Sequence, residues 1–225
     1  MDSDAVWLAA IWPFVRRHLP PAPARVLELG CGGRGGHVPS LLAAGFDAVG
    51  VDPEAPEGPA YRRMPFEEYV GQPVDVVVAS LSLHHVEDLD LVLDKVLGLL
   101  VPGGTLIVIE WARESMDAAT ARWCFQRLPA VEEDAEGWLH RRRTEWAESG
   151  ISWEDYCEDW ASQHHLHTAQ AIRSGLDARF TTDDVSWGPY YFPELPGVDR
   201  TTEQAAIDAG EIRAGCLCQV GRRPR

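Results

Sequence analysis

Three glycines and an acidic residue in the N-terminal half are spaced as in nucleotide-binding proteins. Gly30, Gly32 and Gly35 fit the pattern G-x-G-x-x-G, and they lie between a predicted strand and a predicted helix. Glycine has no Cβ, so the backbone at such positions can turn tightly or approach a ligand closely. Asp52 follows 22 residues after Gly30, about where a dinucleotide-binding fold has its ribose-binding carboxylate. This spacing predicts an adenosine-containing ligand.

Glu28, two residues before the first glycine, helps to decide which adenosine ligand fits. Its carboxylate would repel the pyrophosphate of a dinucleotide, because two negative charges at close range are unfavourable. A ligand with an ammonium group would be favoured there instead. An NAD(P)-dependent Rossmann oxidoreductase is the alternative hypothesis, since it fits the literal glycine spacing but not Glu28.

A series of motifs covering residues 25–110 resembles the class I S-adenosylmethionine-dependent methyltransferases. The stretch Val26-Leu-Glu-Leu-Gly-Cys-Gly32 is similar to motif I of that family. Five later segments are similar to its successive signatures: Gly50-Val-Asp-Pro53, Phe66-Glu-Glu68, Val74-Asp-Val-Val-Val-Ala-Ser80, Leu83-His-His-Val-Glu-Asp-Leu89 and Leu100-Val-Pro-Gly-Gly-Thr-Leu106. The ordered series is more specific than any single motif. The resemblance is to small-molecule enzymes with a type 11-like methyltransferase domain.

The resemblance implies S-adenosyl-L-methionine as the cofactor and S-adenosylhomocysteine as a product. Gly30 and Gly32 would let the backbone pass close to the methionine part of the cofactor. Glu28 would support the ammonium group of that part, directly or through water. Asp52 would accept hydrogen bonds from the two ribose hydroxyls, because a carboxylate is an acceptor that matches two donors.

The same resemblance places further residues around the cofactor. Phe66 and Glu67 would border the adenine, while Ser80 and Leu81 would line the cleft near the sulfonium. The complete predicted cofactor set is Glu28, Gly30, Cys31, Gly32, Asp52, Pro53, Phe66, Glu67, Ser80 and Leu81.

The glycine loop departs from the family pattern at Arg34, where a third glycine is usual. Glycine returns at positions 35 and 36, so either the loop is one residue longer or Arg34 points outward. A degenerate member of the fold, which binds the cofactor without turnover, is therefore a further alternative.

His84 and His85 follow the predicted fourth strand, at the mouth of the expected cleft. Methyl transfer from a sulfonium is an in-line displacement that requires the acceptor to be held close and aligned. A hydroxyl, thiol or ammonium acceptor must also lose a proton. The two histidines are thus candidates for a catalytic base or an acceptor-orienting group. The structural alternative is that one histidine packs and the other is solvated.

Further acceptor-side candidates end the predicted fifth strand or lie in a histidine-rich segment. Glu110 would orient a substrate or cap a helix, and Trp111 would contact the substrate or pack; both lie at the ligand-binding edge of an open α/β sheet. In Gln163-His-His-Leu-His167, His164 is a candidate catalytic residue and His165 a candidate substrate contact. We expect no metal site, because these imidazoles lack a carboxylate or cysteine at ligand spacing.

Trp146, Trp153 and Trp160 recur at intervals of seven on a predicted helical segment. They would form one apolar face packed against the sheet. Alternatively, they would form an aromatic lid over an apolar or cationic acceptor, since ring faces attract positive charge.

Strand-like and helix-like stretches alternate in the first half of the chain, a pattern typical of a parallel α/β sheet. The family resemblance implies an α/β, Rossmann-like fold with a seven-stranded, mostly parallel sheet and an antiparallel last strand. We expect one domain over 1–225: a cofactor-binding half at 25–110, a helical insertion or lid at 112–166, and a C-terminal helix with strands at 167–225.

Composition and charge exclude several classes of protein. The 225 residues are 45% hydrophobic, which is ample for a core, and carry a formal charge of −15, which argues against nucleic-acid binding and anionic membranes. Residues 131–160 hold ten acidic and three basic side chains, so a neutral or cationic small-molecule acceptor is preferred. Five cysteines without a C-x-x-C spacing, an acidic N-terminus and the absence of a long apolar run predict a reduced, cytoplasmic protein.

Overall fold

A computed structural model describes residues 3–129 and 137–225, which fold around a seven-stranded sheet. The strands are β1 (Arg25–Leu29), β2 (Asp47–Asp52), β3 (Tyr61–Arg63), β4 (Val74–Ser80), β5 (Leu100–Trp111), β6 (Thr181–Gly188) and β7 (Cys216–Arg222). Their order is β3-β2-β1-β4-β5-β7-β6, and β7 runs antiparallel to both of its neighbours. The predicted mostly parallel sheet with an antiparallel last strand is confirmed.

Helices cover both faces of this sheet. They are α1 (Ser3–His18), α2 (Val38–Ala43), α3 (Leu89–Leu99), α4 (Ala118–Phe125), α5 (Trp138–Ser149), α6 (Trp153–Gln163), α7 (Ala169–Asp177) and α8 (Arg200–Asp208). Residues of α3 and α7 pack on one face of the sheet, and residues of α1 and α2 pack on the other. Helices α4, α5, α6 and α8 share a third, aromatic-rich cluster with Trp111. The segment 112–166 is helical where it is described; its residues 130–136 lie outside the described part of the chain.

The central strand β4 shows why this sequence forms a doubly covered sheet. Val77 and Ala79 belong to one apolar cluster, whereas Val76 and Val78 belong to the other. Successive side chains of a strand point to opposite faces, so a continuous β-branched run supplies both layers. The following helix α3 begins where the Asp88 side chain accepts a hydrogen bond from the Leu91 N–H at 2.9 Å.

Three elements differ from what local patterns indicate. Helix α1 continues through Pro13, because Trp7, Ile11 and Val15 recur every fourth residue and are all buried. The tryptophans spaced by seven do not share one helix: Gly150 has a positive φ of 69° and ends α5 before α6 begins. The aromatic-rich stretch 180–192 reads as one long strand, but β6 ends at Gly188.

The sheet brings the sequence motifs to one edge. Strands β1, β2, β4 and β5 run parallel, so their carboxyl ends meet there. This edge is where ligands bind in open α/β sheets. Within residues 3–129 and 137–225, no helix combines the length and apolar character needed to cross a membrane.

Candidate functional site

The glycine loop after β1 is shaped by close contacts that exclude side chains. Gly30 has φ = 74°, and a Cβ added there would collide with Ser82. Gly36 has φ = 53°, and a Cβ there would collide with the Glu28 carboxylate. Both conformations and both contacts require glycine, which is why the loop can pass directly over the edge of the sheet.

Asp52 ends β2, and its side chain holds the glycine loop through a hydrogen bond. Its Oδ2 accepts a hydrogen bond from the Gly32 N–H at 2.9 Å, and its Oδ1 accepts one from the Glu54 N–H at 2.7 Å. The half-buried carboxylate also lines a cavity of about 340 Å³. The predicted cofactor residues that line the same cavity are Gly30, Gly32, Pro53, Phe66, Glu67 and Leu81.

A second cavity, of about 380 Å³, lies on the other side of the loop. The predicted cofactor residues that line it are Glu28, Gly30, Cys31, Gly32, Ser80 and Leu81. Gly30, Gly32 and Leu81 thus belong to both cavities, which are adjacent parts of one cleft along the carboxyl edge. The structure brings all ten predicted cofactor residues to this cleft.

Glu28 is a buried carboxylate in the second cavity. Its two oxygens accept hydrogen bonds from the His37 N–H at 2.9 and 2.8 Å, which holds the start of α2 against β1. Burial raises the pKa of Glu28 from its ordinary value of 4.5 to about 8, although the N–H groups of His37 and Val38 act in the opposite direction. The carboxyl group is therefore poised to change its charge when an ammonium group comes close.

Glu110 and His84 form a buried pair at the end of β5. Glu110 has no exposed surface, and its Oε1 accepts hydrogen bonds from the N–H groups of Ser82 at 2.8 Å and Leu83 at 2.6 Å. Its Oε2 lies 2.6 Å from His84 Nδ1. The carboxylate thus holds both the backbone after β4 and the imidazole ring in place.

The remaining candidate histidines are less enclosed. His85 is exposed, lines the 340 Å³ cavity and has its ring centroid 4.1 Å from that of His84. Partial burial and the neighbouring His84 ring lower the pKa of His85 below its usual range. His164 and His165 are exposed and line neither cavity. His164 instead bonds through Nδ1 to the Trp160 carbonyl at 2.8 Å.

Trp111 connects the His84 region to the aromatic cluster of the insertion. It is buried, and its ring centroid lies 6.1 Å from that of His84 in an edge-on arrangement. On its other sides it stacks on Tyr190 at 5.8 Å and contacts Trp138 at 5.4 Å and Trp160 at 6.0 Å. Trp111 therefore packs between His84 and the aromatic cluster of the insertion, and neither Trp111 nor His84 lines either cavity.

Several residues of the cleft are not apparent from the motifs. Asp4, Trp7 and Leu8 of α1 line the 380 Å³ cavity. The exposed Arg34 forms an ion pair with Asp4 at 3.5 Å, and both side chains line this cavity. The repeat of Trp7, Ile11 and Val15 is the sequence signal that indicates a packed helix there. In the described part of the chain, no three His, Cys, Asp or Glu side chains are grouped so that they could hold a metal ion.

Comparison with protein families and curated sequences gives one match. A family model described as a methyltransferase domain matches residues 8–178, which is most of the chain. No curated protein sequence gives a significant match.

Solved structures with the same fold cover nearly all of this chain. An S-adenosylmethionine-dependent methyltransferase from Mesorhizobium loti has a TM-score of 0.57 and 22% identity, over 95% of this chain and 98% of that one. N-methyltransferase NodS from Bradyrhizobium japonicum, in complex with S-adenosylhomocysteine, has a TM-score of 0.54 and 14% identity, over 96% of this chain and 87% of that one. Phosphoethanolamine N-methyltransferase 2 from Haemonchus contortus, in complex with S-adenosylmethionine, has a TM-score of 0.57 and 13% identity, over 97% and 52%. At these identities the likeness concerns the fold.

Proposed function

The chain belongs to the methyltransferase domain family, and from this premise we propose that it transfers a methyl group from S-adenosylmethionine to a small molecule, releasing S-adenosylhomocysteine. The family assignment confirms the resemblance found in the motifs. One observation carries the proposal: two adjoining cavities share Gly30, Gly32 and Leu81, and a carboxylate lines each of them. One cavity thus suits an adenosine and the other the methionine part of the same ligand.

The residues of the cleft fit this cofactor in shape and in chemistry. The positive φ angles of Gly30 and Gly32 create a backbone cradle that larger residues would fill or strain. Asp52 presents acceptor oxygens to the first cavity, which matches ribose hydroxyls. Glu28 lines the second cavity, where a carboxylate matches an ammonium group.

The bound cofactor supplies an electrophilic methyl group on a sulfonium. The protein has to align the acceptor with that methyl group, exclude water and, for a protic oxygen, nitrogen or sulfur acceptor, take up a proton. As the acceptor atom forms its bond to the methyl carbon, the carbon–sulfur bond breaks and its electron pair stays on sulfur.

We propose that the His84–Glu110 pair takes up the proton that a protic acceptor loses. With the proton of His84 on Nδ1 and hydrogen-bonded to Glu110 at 2.6 Å, its Nε2 carries the free lone pair. Glu110 would also stabilise the imidazolium that forms when Nε2 takes the acceptor's proton. The insertion at 112–166, which meets this pair through Trp111, would select the acceptor.

Binding and turnover experiments test the proposal separately. Calorimetry should show micromolar binding of S-adenosylhomocysteine and none of NAD; binding of NAD alone would overturn the assignment. A screen of small hydroxyl, amine and thiol compounds with radiolabelled S-adenosylmethionine should then find methylated product. Cofactor binding without any product across a broad screen would favour a degenerate, binding-only member of the family.

A further inference from the structure

A third pocket lies outside the two cavities of the cleft, among the helices of the insertion. Its lining includes the rings of Trp111, Trp138, Trp153, Tyr156 and Trp160 and the side chains of Arg113 and Arg142. We call it the Trp–Arg pocket. Its free volume is about 20 Å³, which takes one small polar atom at the end of a ligand, so the rest of that ligand has to lie outside the pocket.

The charge of the Trp–Arg pocket is opposite to that of its surroundings. Of the described residues, Arg113 and Arg142 are the charged ones that line it, and neither Asp nor Glu is among them. Six of its ten lining residues nevertheless come from a segment, 131–160, in which acidic residues outnumber basic ones by ten to three. Two arginines facing one small apolar space in an acidic protein favour an anionic ligand.

Arg142, which lines this pocket, has an unused hydrogen-bond donor. Its Nη2 donates a hydrogen bond to Glu145 Oε1 at 2.8 Å, and its guanidinium carbon lies 4.6 Å from the ring centroid of Trp160. Its Nη1 is buried and has no hydrogen-bond partner among the described residues, and the same holds for Trp160 Nε1. A buried donor without an acceptor is costly, most of all on a charged group, so both atoms call for an acceptor that the described residues do not supply.

We infer that the Trp–Arg pocket binds a carboxylate group of the methyl acceptor, with Arg142 Nη1 and Trp160 Nε1 as donors. This inference rests on the proposed methyl transfer, because it treats the ligand as that reaction's substrate, and it departs from the neutral or cationic acceptor that the charge of residues 131–160 favours. A ligand anchored there would extend past Trp111, whose ring lies 6.1 Å from that of His84, toward the cleft. A cationic group is disfavoured in the pocket, since the guanidinium already covers the Trp160 face and Arg113 adds a second positive charge.

Three probes of nearly equal shape test the charge preference: phenylacetate, phenylacetamide and phenethylamine. We expect phenylacetate to bind the whole protein about tenfold or more tightly than phenylacetamide, as for a hydrogen bond to a charged group. It should also shift the indole N–H signal of Trp160 in a ¹⁵N NMR spectrum, assigned with Trp160→Phe. Equal binding of the three probes, preference for phenethylamine, or an unmoved Trp160 signal would mean that the pocket holds water or another group, and would overturn the inference.

Matched variants separate the pocket from the helix that carries it. Arg142→Met keeps the aliphatic stem and should abolish the preference for phenylacetate, whereas Arg142→Lys should retain part of it. Arg141→Met removes the same charge from the adjacent exposed position and should leave the preference unchanged. Loss of the preference in Arg141→Met as well would show a general charge effect and contradict the assignment.

A parallel titration keeps this test distinct from that of the proposed function. Arg142 does not line either cavity of the cleft, so Arg142→Met should bind S-adenosylhomocysteine like the parent protein. If the parent protein binds no S-adenosylhomocysteine, the proposed function fails whatever the probes do. If it binds the nucleoside but shows no preference for phenylacetate, only the inference about the Trp–Arg pocket fails.

Discussion

At the scale of single residues, buried and half-buried carboxyl groups hold backbone segments and side chains in place. Glu110 contacts two backbone N–H groups and the His84 ring at once. Glu28 holds the start of α2, and Asp52 holds the glycine loop. Each of these side chains makes hydrogen bonds through both of its carboxyl oxygens and so holds its neighbours in one geometry. The cleft is thus largely formed before a ligand arrives.

Asp52 provides a direct test of the adenosine side. We expect Asp52→Ala to weaken S-adenosylhomocysteine binding by about 1–3 kcal/mol, or roughly 5- to 150-fold, because hydrogen bonds from the ribose to a charged acceptor are lost. Asp52→Asn should lose less. Asp47→Ala, at the exposed start of the same strand, is the matched control. Calorimetry measures the affinities, and an unchanged affinity in Asp52→Ala would refute the role given to this residue.

Glu28 should make stability depend on pH in a defined direction. Its pKa is about 8 in the folded protein, above the ordinary 4.5, so the folded state holds a proton that the unfolded state releases. This contribution to stability is complete below about pH 4.5, declines as the pH rises and is lost above about pH 8. Glu28→Gln cannot titrate, so the parent protein should lose stability relative to this variant between pH 5.5 and 9.

Urea unfolding of both proteins across this range measures the effect of Glu28. Parallel pH profiles of the two unfolding free energies would contradict it. A cofactor ammonium next to Glu28 would favour its charged form, so ligand binding at pH 7 should also release a proton. Calorimetry in buffers of different ionisation enthalpy detects that release, which Glu28→Gln should lack.

At the scale of elements, the turn after β6 shows how the C-terminal part supports the acceptor side. The carboxylate of Glu203, on α8, is fully buried and accepts hydrogen bonds from the N–H groups of Tyr190, Tyr191 and Phe192 at 2.6–3.1 Å. This segment also positions the Tyr190 ring, which stacks on Trp111. Glu203 therefore fixes the turn that carries Tyr190, and with it the contact between the rings of Tyr190 and Trp111.

Removing this carboxylate should be costly. Glu203→Ala leaves three N–H groups without an acceptor, two of them buried and one partly buried, and we expect a loss of about 3 kcal/mol or more in the free energy of unfolding. Glu203→Gln keeps an acceptor oxygen and should lose less. Glu211→Ala, at an exposed position beyond the same helix, should change stability by no more than about 0.5 kcal/mol. Denaturant titrations compare the three, and equal losses in Glu203→Ala and Glu211→Ala would contradict the fastening role.

At the scale of the whole molecule, the formal charge of −15 opposes folding by self-repulsion. Salt screens charges that lie farther apart than about 10 Å at 0.1 M, so it relieves this repulsion more than it weakens close ion pairs. We expect the Tm to rise by about 2–4 °C between 20 and 300 mM NaCl, the shift that about 1 kcal/mol produces in a chain of this size. Thermal unfolding monitored by circular dichroism measures it, with sucrose at equal osmolality as the control. A falling Tm would show that close ion pairs outweigh the repulsion.

The sequence by itself determined the sheet and which motifs gather at its carboxyl edge. Strands such as Val74–Ser80 are recognisable from local runs of β-branched residues, and motif residues such as Gly30 and Asp52 directly follow or end them. Parallel strands bring their carboxyl ends to one edge of the sheet, so motifs that are far apart in the sequence come together at that edge. Local pattern and topology were sufficient because each motif is tied to the end of one strand.

Only the tertiary structure decided how the insertion and the N-terminus complete the site. Gly150 separates Trp146 from Trp153, so the three tryptophans of the regular repeat lie on two helices, Trp146 on α5 and the other two on α6. Likewise, α1 lines the 380 Å³ cavity beside the glycine loop, although it is remote from that loop in sequence. Contacts of this kind, and the pKa that burial gives to Glu28, depend on how elements pack. Packing is set by surfaces from distant parts of the chain, which no local periodicity records.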